Sequence, residues 1–109
     1  MIDRRKSPRF DCALEVKYST RSPCGIQGLT MSRNISRHGI RIIISRFIRK
    51  GDALDLDISP RGNGSSVRAV GRVVWAKPME RSLVPAFDAG IEFTRIDQTA
   101  INKLIQNVY

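Results

Sequence analysis

Two short stretches hold residues whose types and spacing could do chemistry. The first, RKSPR, sets Arg5 and Arg9 with three residues between them, and Arg4 just before them. The second, NISRHG, runs from Asn34 through Ser36 to Gly39. A guanidinium offers a planar fork of donors that matches a phosphate or the O6/N7 edge of a guanine with two parallel hydrogen bonds. In an extended chain side chains two apart point the same way, so Asn34 and Ser36 would project together as short neutral hydrogen-bonding groups. Gly39 follows where the chain must turn, permitting positive φ or the close approach of a ligand. Taken alone, the second stretch also reads as a strand end with a capping serine and a turn glycine. Together the two suggest the grip of a planar anion, with no catalytic residue among them.

The rest of the sequence supports binding over catalysis. The formal net charge is +9, with Lys and Arg at 19 against Asp and Glu at 10, which favours an anionic partner. Cys12 and Cys24 lack metal or redox spacing, and the lone His38 leaves no zinc set, so neither a metal nor a cofactor is expected. No nucleophile–base pair or phosphate-cradling glycine loop is evident. A secretory leader is not apparent, and no apolar run approaches the roughly 20 residues of a membrane span. A reduced, cytoplasmic protein without membrane insertion is the expectation.

These residues need a support, and alternation supplies it. At 109 residues the chain can close one hydrophobic core. Phe10, Cys12, Leu14, Val16 and Tyr18 share one face of an alternating run. Next comes a run placing Leu29, Met31 and Ile35 inward, with Thr30, Ser32, Asn34 and Ser36 opposite. Ile40, Ile42 and Ile44 follow, then an Arg49–Asp52 turn, then Leu54, Leu56 and Ile58 against Asp55 and Asp57. PRGNGS reads as a hairpin loop, and Gly71 as a bulge or bend in a longer strand that bears Arg68 and Arg72 on one face. Phe87, Ala89, Ile91 and Phe93 close the series. The period then becomes helical at Ile101, Leu104, Ile105 and Val108, behind Asp97 as N-cap. Six strand-like runs with short loops predict an all-β antiparallel barrel or sandwich with a C-terminal helix at 97–108.

The order of the two motifs, followed by VGRVVWA and DAGIEF, resembles the PilZ domain family, whose members bind the bacterial second messenger cyclic di-GMP. Asn34 stands where many members carry Asp, and His38 where many have a small residue. The resemblance implies a six-stranded antiparallel β-barrel over residues 10–109, preceded by a flexible basic arm at 1–9. It further implies that Arg5, Arg9, Asn34, Ser36 and Gly39 bind cyclic di-GMP, with Arg4 and Arg37 as secondary contacts. Arg4, lying before the first motif arginine, fits a stacked pair of ligands. On this reading the arm folds over the barrel when ligand binds, and a non-enzymatic receptor signals to an unidentified downstream protein as a monomer or weak dimer.

Plainer readings apply to other residues. Arg33, Arg37, Arg41, Arg46 and Arg49 form a basic region expected to be solvated for the most part. Trp75 is expected to pack at a strand edge or in the core in preference to stacking on guanine. His38 reads as an exposed turn residue, and Asp55 and Asp57 as a solvent face. The alternative function is a basic nucleic-acid-binding barrel of OB or cold-shock type. It is disfavoured because paired strand-borne aromatics are poorly represented.

Overall fold

The computed structural model describes residues 14–21, 27–60, 66–80 and 83–108. Alternating apolar residues make each strand two-faced, and closing the sheet on itself buries one face of every strand without leaving an open edge. The strands are β1 (Leu14–Thr20), β2 (Gln27–Ile35), β3 (Gly39–Ile44), β4 (Ala53–Pro60), β5 (Val67–Pro78) and β6 (Phe87–Ile96). They form a closed barrel in the order β1-β2-β3-β6-β5-β4, every pair antiparallel. Leu14, Val16, Ile35, Ile40, Ile42, Ile44, Leu54, Ile58, Val73 and Ile91 fill the interior.

Helix α1 (Gln98–Val108) packs against β4 and β5 and adds Ile101, Leu104 and Ile105 to the core. Asp97 caps it: Oδ1 accepts from the Thr99 and Ala100 amides at 3.0 and 3.2 Å. The expected turn at Arg49–Asp52 is present. Asp52 Oδ2 accepts the Arg49 amide at 2.9 Å, and Gly51 takes φ 97°, a conformation open to glycine at little cost. The expected irregularity at Gly71 is a register shift between Val70 and Gly71. A Cβ at Gly71 would lie 2.4 Å from Ile91 Cγ2, so the barrel wall closes here only around glycine.

One strand departs from the expected pattern. Leu29 and Met31 point outward, 60% and 38% exposed, whereas Ser32 and Ile35 are buried. The cause is a β-bulge: Ser32 pairs with Ile42 and Asn34 with Arg41, leaving Arg33 without a partner on β3. Before the bulge the even-numbered residues of β2 face inward; after it the odd-numbered Ile35 does. Asp57 also differs from a simple solvent-face residue, because its Oδ1 is buried without a hydrogen-bond partner. Asp55 is exposed and pairs with Arg21 at 2.9 Å. Phe10, Cys12 and Cys24 lie outside the described residues. No helix among those described is long and apolar enough to cross a membrane.

Candidate functional site

The Asn34–Gly39 stretch forms the end of β2, a tight turn and the start of β3. The bulge at Arg33 gives this stretch its aim. Had β2 continued in register, Asn34 would follow Ser32 into the interior; with Arg33 extruded, Asn34 lies opposite Arg41 on the outer face, half-buried.

Ser36 is buried at 2% exposure and works within the turn. Its Oγ accepts the His38 and Gly39 amides, each at 3.2 Å, and its own amide donates to the Gly39 carbonyl at 2.9 Å. A serine hydroxyl used in this way closes the turn as a backbone group would. Gly39 is buried and pairs with Glu92; positive φ among the described glycines belongs to Gly51. Of the two sequence expectations for Gly39, positive φ is not met, and close approach of a ligand is the one that remains. His38 and Arg37 are exposed, and their carbonyls anchor the turn. The His38 carbonyl accepts the Phe93 amide at 2.8 Å, and the Arg37 carbonyl accepts Gln98 Nε2 at 3.2 Å, which ties the turn to α1.

Arg4, Arg5 and Arg9 lie outside the described residues. The strand they lead into is informative nonetheless. Leu14, the first residue of β1, donates its amide to Ser32 Oγ at 2.9 Å. The chain thus enters the barrel, at Leu14, beside the portion of β2 that carries Asn34.

A cluster that the sequence reading did not assemble continues the outer face from Asn34 across β3, β6 and β5. Arg41 Nε donates to Asp88 Oδ1 at 2.8 Å, and its Nη2 pairs with Oδ2. The bond from Arg41 holds the Asp88 carboxyl below the usual carboxylate range, opposed by burial and helped by Arg33 and Lys77. The same bond raises Arg41 above its ordinary value. The Trp75 ring lies across Gly90, its cross-strand neighbour: a Cβ on Gly90 would fall 2.1 Å from Trp75 Nε1. Arg41 Cζ and Lys77 Nζ stand 5.9 and 5.6 Å from the Trp75 ring centroid, within cation–π range. Trp75 is therefore half-buried on the outer wall, not in the interior. An amide, several cations and an aromatic ring on one stiff wall suit a planar, anionic ligand. Among the described residues no group of His, Cys, Asp or Glu could hold a metal ion.

A groove of about 800 Å³ lies elsewhere, lined by Lys17, Leu29, Asp57, Arg68 and Arg95 among others. None of Asn34, Ser36 and Gly39 contributes to it.

Comparison with known proteins places this geometry. The sequence matches the model of the PilZ domain over residues 3–109. The chain belongs to the PilZ domain family. No protein of curated function matches it closely enough to count. Among solved structures, the PilZ fold recurs in the Bacillus subtilis inhibitor of motility MotI/DgrA, with a TM-score of 0.74 at 22% identity. That match covers 98% of this chain and 50% of the other, so this chain spans half the length of that relative. The PilZ domain of Escherichia coli YcgR with c-di-GMP gives a TM-score of 0.71 at 10% identity, covering 97% of this chain and 89% of that one. MrkH, described as a c-di-GMP-dependent transcription regulatory factor, gives 0.71 at 16% identity, with 95% of this chain and 50% of MrkH covered. Identities this low speak for a shared PilZ fold.

Proposed function

We propose that this PilZ domain is a non-enzymatic receptor for cyclic di-GMP. Cyclic di-GMP carries two phosphodiester charges and two guanine edges. Arg5 and Arg9 hold those edges and phosphates, and Asn34 contributes a polar contact from the outer wall of the barrel. Ser36 and Gly39 keep the turn in shape, while Arg4 and Arg37 stand as secondary contacts. The observation that carries the reading is the Leu14 amide bonded to Ser32 Oγ, because the chain enters the barrel there, five residues after Arg9 in sequence, on the part of β2 that carries Asn34. The named ligand of the YcgR structure, on a barrel of the same family, supports the choice of dinucleotide.

On this reading the arginine segment closes over the outer wall with ligand beneath it, and the covered wall becomes the surface that a downstream protein reads. Such a switch needs no bond to be made or broken. The test is calorimetry with cyclic di-GMP against GTP, on wild type and on Arg9→Ala. Cyclic di-GMP is expected to bind and to be recovered uncleaved, GTP to bind far more weakly, and Arg9→Ala to abolish the heat. Wild-type affinity in Arg9→Ala defeats the proposal. Preferential, steeply salt-dependent binding of single-stranded RNA would favour the nucleic-acid reading instead.

A further inference from the structure

The barrel end opposite the Ser36–Gly39 turn carries a second chemical signature, which shares Lys77 with the wall that bears Trp75. Two loops meet there, residues 45–52 between β3 and β4 and residues 79–86 between β5 and β6. Phe47 of the first loop packs against Phe87, the first residue of β6, with ring centroids 5.7 Å apart. Ile48, buried beneath, fixes the first loop to the core. Among the described residues of the two loops three large apolar side chains face solvent: Leu83 is fully exposed, Phe47 is 77% exposed and Val84 61%. Single exposed apolar residues are ordinary, but three on the loops at one end of a small barrel are a patch. Around them stand Arg46, Arg49, Lys50 and Lys77, all exposed. Of the nearby acids, Asp52 is turned back onto the Arg49 amide, which leaves Glu80 as the exposed carboxylate among the described residues of these loops.

We propose that this end of the barrel docks on an anionic lipid bilayer, with Phe47 and Leu83 at the acyl boundary and the four cations among the headgroups. Docking of this kind is peripheral and leaves the barrel outside the membrane. The shape of the patch argues for lipid over an acidic protein. Its apolar side chains, Phe47, Leu83 and Val84, all stand well exposed. A folded partner would need a matching pocket for each, whereas a fluid interface admits protrusions at any spacing. Apolar side chains set among Lys and Arg form the composition that settles at such interfaces. The chain's net charge of +9 adds attraction at longer range. The geometry also leaves the Ser36–Gly39 end turned away from the bilayer and open to a small ligand.

Co-sedimentation of the full chain with vesicles tests the proposal, comparing phosphatidylglycerol mixed into phosphatidylcholine with phosphatidylcholine alone. Binding is expected for the anionic vesicles only and should weaken as salt is raised. Phe47→Ser combined with Leu83→Ser should lower partitioning by about tenfold or more. Leu83→Asp gives the same reading without touching the Phe47–Phe87 contact, at a side chain whose full exposure leaves folding unaffected. Replacing Arg46, Arg49 and Lys50 by Gln should cost about fivefold per cation. If the Phe47 and Leu83 variants bind as well as wild type, charge alone is responsible and the proposal fails. It fails equally if wild type ignores anionic vesicles but binds soluble polyglutamate, which would point to an acidic protein partner.

Discussion

Ser32 and Ile35 both point into the barrel although they stand three positions apart, a spacing that would set them on opposite faces of a regular strand. The extra residue is Arg33, which has no partner on β3. Its extrusion serves the core and the outer wall at once. Ser32 reaches inward to hold the Leu14 amide, Ile35 seals the interior, and Asn34 between them faces out beside Arg41. A one-residue irregularity thus decides on which side of the wall the motif asparagine stands.

Deleting Arg33 should therefore be far worse than changing it. Without the extra residue either Asn34 turns inward or Ile35 turns out, at a cost of roughly 2–5 kcal/mol from a buried amide short of partners or a core side chain given to water. Arg33→Ala keeps the residue count and should stay within about 0.5 kcal/mol of wild type. Urea denaturation of the two variants makes the comparison. A deletion variant as stable as Arg33→Ala would mean that the register does not matter.

Gly90 and Trp75 make a second coupled pair. A methyl group at Gly90 would fall 2.1 Å from Trp75 Nε1, inside any tolerable contact. Gly90→Ala should lose about 1–3 kcal/mol by forcing the ring away. In the Trp75→Ala background the same change should be close to neutral, giving a coupling energy on the order of 1–3 kcal/mol in a double-mutant cycle. Trp75 is the sole tryptophan, so its emission should shift in Gly90→Ala as the ring moves into water. Additive effects would show that the ring does not rest on this glycine.

Asp88 makes stability depend on acid. Its folded carboxyl is held low, chiefly by the hydrogen bond from Arg41. A carboxyl whose folded pKa lies below its unfolded value, about 3.9, adds stability above the unfolded value, and that stability is lost as pH falls through the folded one. Wild type should exceed Asp88→Asn in urea midpoint near neutral pH, and the gap should close as pH falls below about 4. A gap that stays constant down to strong acid would remove Asp88 from the account. Salt should narrow the gap only modestly, because Asp88 is 18% exposed and partly shielded from counterions.

How much of this was legible in the sequence depends on whether the cause is local. The faces of β1, β3 and β4 follow from strict alternation in Leu14–Tyr18, Ile40–Ile44 and Leu54–Ile58, and the structure places those residues inside. The Asp97 cap and the Arg49–Asp52 turn are also local and were readable. Leu29 and Met31 were not, because the bulge that turns them outward is a relation between β2 and β3. Arg41 and Asp88 lie 47 residues apart, and only the pairing of β3 with β6 brings them together. Ser36 offered two readings, and its hydroxyl fulfils the capping one. The motif arginines could be recognised by pattern alone, and they lie outside the described residues.

Asn34 and Ser36 share a motif but should fail in different ways. Asn34 is half-buried on the outer wall, so Asn34→Ala should lower the urea midpoint less than Ser36→Ala does while weakening cyclic di-GMP binding by about tenfold, the worth of one good hydrogen bond to a charged or polar ligand. Ser36 is buried, and Ser36→Ala strips the acceptor from the His38 and Gly39 amides at a cost of about 1–3 kcal/mol in stability. Its affinity loss should follow from the loosened turn, so lowering the temperature, which restores order to the turn, should recover binding in Ser36→Ala but not in Asn34→Ala. Calorimetry at two temperatures beside urea melts separates the cases. A Ser36→Ala protein that keeps full stability yet loses the ligand would assign the hydroxyl to the ligand and not to the turn.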